Sequence, residues 1–387
     1  MKKYLILAAA AVVAMAACTK NTLDQEAIPD VPITFQAANY VPQTKAGEVS
    51  VLDDFTAFKC KAYLHAEGID LNANGTVNGT SFQNFFGTDG ETITWNSTAK
   101  EWAPSHVYYW PKGAQSFVNF VGWYGVDGTG EDTAPTITYA YDGTASKYKA
   151  TLVWNYTSVA GNSASNLLYA DMAWRFKANN NGATYGKDGV SEGVPMLFHH
   201  ALAQINVKVY ADGTSLTAGT GSVSDANATW TIALENPAIT PVYNAGTLTL
   251  TNEDPGTNAT TQAWTGSWAG TSSTGSIAAS NLNVDKVTKA TANTLFNATC
   301  VVPQTLGATV VLSFNMRITT TYKTNPTNPN VELIPVSVKL NDMGTSAWAQ
   351  NTKYTYYLKI VPNQSKVLFD PALQQNWTEV EGTEQTI

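Results

Sequence analysis

From Ile33 onward, apolar and polar residues alternate with period two rather than with the 3.6-residue period of a helix. Ile33 and Phe35 lie opposite Thr34 and Gln36, the pattern of a half-buried strand, and Pro42, Lys45, Ala46 and Gly47 then read as an exposed loop. Further strands are predicted over Phe55–Leu64, Thr92–Trp95, His106–Trp110, Phe117–Trp123, Lys149–Trp154 and Ala203–Tyr210. The stretch Ala211 to Asn227 is rich in Gly, Ser and Thr and reads as a linker. Beyond it Trp230, Ile232 and Leu234 share a face, followed by strands over Thr247–Thr251, Leu295–Val302, Ala308–Thr321, Val331–Leu340 and Tyr354–Val361. In Ala308–Thr321, Val310, Leu312, Phe314, Met316 and Ile318 point one way. Long strands joined by turns such as "KTNPTNPN" indicate antiparallel β-sandwiches, so the expectation is an all-β chain of two tandem sandwich domains.

Composition agrees with this. Charged residues make up 13% of the 387, and Thr, Asn, Gly and aromatics are plentiful, which suits sheets with polar but uncharged outer faces. The net charge of −8 argues against nucleic acid as a partner. Arginine occurs twice, at Arg175 and Arg317.

The start of the chain departs from the alternation. Lys2 and Lys3 precede an uninterrupted apolar run of 14 residues, Tyr4 to Ala17, shorter than the ~20 a membrane-spanning helix needs but right for a signal peptide over residues 1–17. Met15-Ala16-Ala17-Cys18 resembles a bacterial lipobox, which makes Cys18 the expected lipidation site and the outer membrane the expected anchorage. Cys60 and Cys300 sit on apolar strand faces and read as buried reduced thiols, with a disulfide as the alternative.

Little else suggests chemistry. His199 and His200 are adjacent on a strand and point to opposite faces, one expected buried and one exposed, so they do not form a metal pair. His65 and His106 have no acid or cysteine at ligand spacing. Asp70, Asn72, Asn74, Gly75 and Asn78 imitate a calcium loop, but Ser81 stands where a bidentate glutamate belongs, and a surface hairpin is the expectation. No nucleophile elbow, phosphate loop or zinc-protease motif is present, and neither an enzyme nor a cofactor is expected. The aromatic run from His106 to Gly125 is read as core, with sugar stacking as the alternative; in that case the chain is a surface glycan-binding lipoprotein partnering a nutrient transporter.

Several segments together resemble the bacterial fimbrillins. They are "HVYYWPKGAQSFVNFVGWY", "NLLYADMAW" with "VPMLFHHALAQINVKV", and the ending "YTYYLKI" with "VLFDPALQQNWTEVEGTEQTI". The resemblance implies two transthyretin-like sandwiches, residues 46–212 and 213–387, behind a lipidated propeptide, residues 18–45. It also implies a trypsin-like processing protease, other fimbrial subunits as partners, and a first strand removed by a cut at Lys45–Ala46. The best-known members are cut after arginine, and here no arginine precedes Arg175, so either the processing enzyme accepts lysine or this subunit is an uncut anchor or tip component. The vacated groove would take a terminal strand of the next subunit, anchored by Val367, Phe369, Leu373 and Trp377; the alternative is that Val367–Asp370 completes the second sandwich and the rest is a frayed tail.

Overall fold

The alternation becomes sheet over most of the chain in a computed structural model. The structure describes residues 32–39, 55–66, 82–99, 101–111, 116–126, 132–145, 147–157, 166–177, 193–213, 215–256, 259–270 and 275–376. Among them the helices are three short 3-10 turns, and none is long and apolar enough to cross a membrane.

In the first half seven strands close into a ring. Around it run Ala57–Ala66, Ser116–Val126, Asn166–Ala170, Val194–His200, Phe35–Asn39, Glu101–Pro104 and Glu91–Asn96, which returns to Ala57–Ala66. Ser116–Val126 shows why its sequence is almost continuously apolar. Val118 and Phe120 point into the ring, whereas Val121 and Trp123 point out against a second core. The outer core is covered by a four-stranded sheet ordered Thr265–Gly270, Ala245–Glu253, Lys147–Thr157, Thr136–Asp142, whose Trp154, Leu152, Leu248 and Leu250 are buried there.

In the second half two sheets pack face to face. One is ordered Asn293–Val301, Ala203–Ala211, Thr352–Val361, Lys366–Asn376, and the other is built on Ala228–Val242, Val311–Tyr322 and Asn325–Lys339. Alternate residues meet between them: Ile205, Val207, Val209, Tyr356 and Leu358 from one sheet, Trp230, Ile232, Leu312 and Met316 from the other.

Sheet membership crosses the midpoint of the chain in both directions. Ala203–Ala211, before the expected boundary at 212/213, pairs with Asn293–Val301 and Thr352–Val361. Ala245–Glu253, after it, pairs with Lys147–Thr157 across nine residues. Buried polar bonds fasten the crossing segment. Trp174 Nε1 donates to Asn252 Oδ1 at 2.8 Å, Trp264 Nε1 to the Ala170 carbonyl at 2.8 Å, and Trp268 Nε1 to the Ala201 carbonyl at 2.6 Å. Arg175 grips Asp254 through Nε and Nη2 at 2.8 and 2.9 Å, with its guanidinium 4.7 Å from the Phe117 ring centre. Arg175 has a positive φ of 61°, and its amide donates to Asn119 Oδ1 at 2.6 Å, so specific partners hold this unfavourable backbone.

Two expectations fail locally. His106–Trp110 is not a strand; it crosses the end of the ring and makes one isolated bridge, Tyr109 to Pro32. Residues 211–227 are not a plain linker, because Thr217–Gly219 and Ser222–Ser224 form a small hairpin that extends the second-half sheet.

Asp254 is nearly enclosed, so removing it strands the Arg175 charge. Asp254→Ala should cost ~3 kcal/mol or more, read as a lower urea midpoint. The double variant with Arg175→Met should recover part of that loss; a single variant as stable as the parent would show that the pair does not join the segments.

Candidate functional site

The site on which the function turns is the seat of the first strand. Phe35–Asn39 runs parallel to Val194–His200 over five residue pairs, from Phe35↔Val194 to Asn39↔Phe198. Its other side is more lightly held, with one antiparallel pair, Phe35↔Trp102, and an amide bond from Ile33 to the Tyr108 carbonyl at 2.8 Å. Ile33, Phe35 and Ala37 point into the ring and are buried. Phe35 meets Phe120, Phe58 and Phe86 edge to face, with centroids 5.4, 6.0 and 6.3 Å away. Burying Ile33 and Phe35 contributes about 1.5–3 kcal/mol each.

Gly193 makes this fit possible. A Cβ there would lie 2.6–2.7 Å from the backbone N, C and Cα of Phe35, closer than non-bonded atoms approach. The Val194 amide meanwhile donates to the Thr34 carbonyl at 2.8 Å.

Segment 105–111 lies over the start of the strand and is tied down by Glu91. Its carboxylate accepts from the Ser105 hydroxyl, from His106 Nδ1 at 2.8 Å and from Tyr108 Oη at 2.9 Å. Burial alone would raise the Glu91 pKa, but these bonds outweigh it and hold the carboxyl below its usual range.

On the outer face of the same wall, His65 ends a buried chain. Asn119 Nδ2 donates to Tyr139 Oη at 2.8 Å, and the tyrosine, 2.7 Å from His65 Nε2, donates to it, which requires a neutral imidazole. Burial is the main cause that pushes His65 down to about 4; the Asp254 charge opposes it and the Arg175 charge adds to it.

The other candidates resolve as structure. His199 is not exposed: it bonds Asp171 Oδ1 at 2.8 Å and stacks on Tyr169, while His200 bonds Asn166 Oδ1 at 3.0 Å. The two imidazoles do not converge, and among the described residues no cluster of His, Cys, Asp and Glu is arranged to hold a metal. Cys60 and Cys300 are buried thiols outside any disulfide, and burial raises both pKa values, Cys300 to about 12. Trp110 and Trp123 are buried at 4% exposure, so neither offers a face to a sugar. Val367, Phe369 and Leu373 lie in Lys366–Asn376, an edge strand whose backbone pairs with Thr352–Val361. Cys18, Lys45, Ala46, Trp377 and the Asp70–Ser81 loop lie outside the described residues.

Gly193, Glu91 and the Arg175–Asp254 pair are the residues that reading the sequence missed. Only Gly193 left a trace there, as a glycine directly before the alternating "VPMLFHH".

Residues 66–374 match the profile of a family described as fimbrillin-like. A search of curated protein sequences finds no match. Among solved structures, a fimbrial protein from Bacteroides vulgatus is 17% identical, with a TM-score of 0.51 over 90% of this chain and all of that one. A protein from Bacteroides uniformis provisionally assigned to cell adhesion is 18% identical, with a TM-score of 0.42 over 90% of this chain and 98% of its own. The C-terminally truncated tip fimbrial protein Mfa3 of Porphyromonas gingivalis is 9% identical, with a TM-score of 0.32 over 90% and 100%. The first of these shares the fold; the other two likenesses are too low to argue from.

Gly193→Val should displace the first strand while the second-half sandwich keeps its structure. Amide exchange over 35–39 should accelerate to near that of an exposed chain, and unchanged protection would refute the close approach. For His65, the unfolded chain has an imidazole pKa near 6.5, above the folded value of about 4. Between these values the unfolded state binds more protons, so stability is full above the upper value and falls with pH through the window. The total loss is roughly 3 kcal/mol. Urea midpoints at pH 7 and pH 4.5 should differ by less in His65→Gln; an equal difference would place the titration elsewhere.

Proposed function

The chain belongs to the fimbrillin-like family, whose members are fimbrial structural proteins, and we propose that it is a subunit that polymerises by strand exchange. In this reading the precursor is exported and acylated at Cys18, which holds it at the outer membrane facing outward. A protease then cuts between Lys45 and Ala46. The first strand leaves, and the open seat between Glu101–Pro104 and Val194–His200 takes the terminal strand of the next copy.

The observation that carries the reading is the seat itself. A strand near the chain's start closes the ring, strongly held on one side and weakly on the other, with Ile33, Phe35 and Ala37 filling an aromatic trough. Its loss leaves a row of unpaired amides and carbonyls on Val194–His200 and an apolar slot, the two features that β-augmentation needs. Val367-Leu368-Phe369 repeats the spacing of Ile33-Thr34-Phe35, an aliphatic residue two positions before a phenylalanine. With Leu373 and Trp377 these are the anchors assigned to the donor. Lys366–Asn376 has a place of its own beside Thr352–Val361, so donation requires it to leave that edge for the seat on another molecule. The contact is head to tail and does not close, so it propagates as a filament.

Mass spectrometry of surface-extracted protein should find Ala46 at the N-terminus of polymerised material and a lipid-modified Cys18 in the precursor. Polymer that retains residues 33–39 would sink strand removal. Deleting residues 377–387 should leave a folded monomer that no longer forms ladders on unboiled gels, and ladders that persist would show that this tail does not anchor the donor.

A further inference from the structure

The longest exposed strand among the described edges is Asn325–Lys339, which pairs on one side with Val311–Tyr322. From Val331 to Lys339 its odd-numbered side chains face solvent or are half exposed, with Val331 and Leu333 51% and 55% exposed, while Ile334, Val336 and Val338 lean on the core. A long edge with apolar side chains is the usual template for pairing with another chain. Here the backbone says otherwise.

Pro335 stands opposite Asn315 in the ladder and has no N–H to give. In an antiparallel pair a residue directs its N–H and C=O together, either toward its neighbour or away from it. Pro335 therefore occupies a position whose amide faces outward. The regular register from Val311↔Lys339 to Thr320↔Asn330 carries that parity along the strand, so Val331, Leu333, Ser337 and Lys339 face outward and the even residues face their partner. The next residue agrees: the Leu340 amide donates inward to the Val310 carbonyl at 3.1 Å. Pro329 stands one residue beyond that regular stretch, where the register shifts before Tyr322↔Asn325, and it too has no N–H to offer an incoming strand. The two prolines thus bracket Val331 and Leu333, leaving two outward N–H groups between them and two beyond Pro335. An incoming strand would meet a missing donor and a pyrrolidine ring at each bracket.

The other edge on this side of the sandwich also carries a proline. Ser365 Oγ, at the start of Lys366–Asn376, lies 2.5 Å from Glu332 Oε2, and in that strand Pro371 falls where the register with Thr352–Val361 shifts.

We propose that Pro329 and Pro335 close the Asn325–Lys339 edge to strand addition, so that a second copy of this chain cannot pair there side by side. This does not rest on strand exchange at the ring.

The test uses the intact, uncut chain. A Pro329→Thr, Pro335→Thr variant should associate where the parent stays monomeric: light scattering should give at least twice the parent mass, with the outward amides of residues 331, 333 and 335 newly protected from exchange. A folded variant that keeps the parent mass overturns the proposal, and so does association without that new protection, which would be side-chain stickiness alone. If the double variant does not fold, Pro335→Ser alone, at an exposed outward position, carries the same two readouts. In the parent, Glu332, Ile334, Val336 and Val338 amides should be protected and those of Val331, Leu333, Ser337 and Lys339 should exchange freely; protection of the odd set would also overturn it.

Discussion

A sheet can close on itself only if every strand in the circuit has a partner for its backbone groups on both sides. In this protein that condition rests on five residues, Phe35–Asn39, which come from the chain's start to lie beside a strand formed much later. The constraint is severe because the slot admits backbone and not side chain on one wall. Gly193 must be bare where Phe35 passes, and a ring trio of Phe58, Phe86 and Phe120 receives the side chain. The rest of the first half follows from that closure. The ring interior can hold a dry aromatic core because no edge opens onto it, and the outer wall can then be apolar as well because a second sheet covers it.

The covering sheet draws a segment of the second half onto the first. Its ties are polar groups that meet across the junction: three indole N–H donors and one arginine–aspartate fork. Each would be an unsatisfied buried group if the crossing segment stood away, so separation costs more than the apolar area alone implies. The two halves are therefore not beads on a string. A strand leaving the ring acts on a wall whose far side is already clamped by Arg175, Asp254 and the His65–Tyr139–Asn119 chain.

Much of this was legible as alternation. Val311–Tyr322 and Thr352–Val361 bury chiefly one face, Ala57–Ala66 does so over its first half, and the period-two signal found all three within a few residues. Asn166–Ala170 and Met172–Phe176 escaped because both faces are buried and the run has no period. Glu101–Pro104 is too short to show one. His106–Trp110 misled because strand-forming aromatics were used to lay a segment over the ring, where hydrogen bonds to Glu91 decide its path. Gly193 showed only as a glycine before an alternating run: the reason for that glycine is a strand that is distant in sequence, and local pattern carries no information on who passes whom. The same limit hid the pairing of Asp254 with Arg175. Two arginines in the chain were noticed, but each one's partner is a fact of topology.

The treatment of edges links closure to association. Every β protein must decide which of its strand edges other chains can reach. Among the described residues each ring strand has a neighbour on both sides while Phe35–Asn39 is in place, with Phe35↔Trp102 alone pairing on that strand's weaker side, and prolines at 329, 335 and 371 stand in the two long edges that share a side of the sandwich. Those two solutions differ in kind. A proline is permanent, since no processing event restores an amide to it. A seated strand is conditional: its backbone bonds and three buried side chains hold only as long as the segment remains. The proposed removal of the first strand would open a groove in the ring that the two proline-bearing edges of the sandwich do not offer. In that proposed reading association is end to end, because the surface that binds forms only once the strand that fills it has gone.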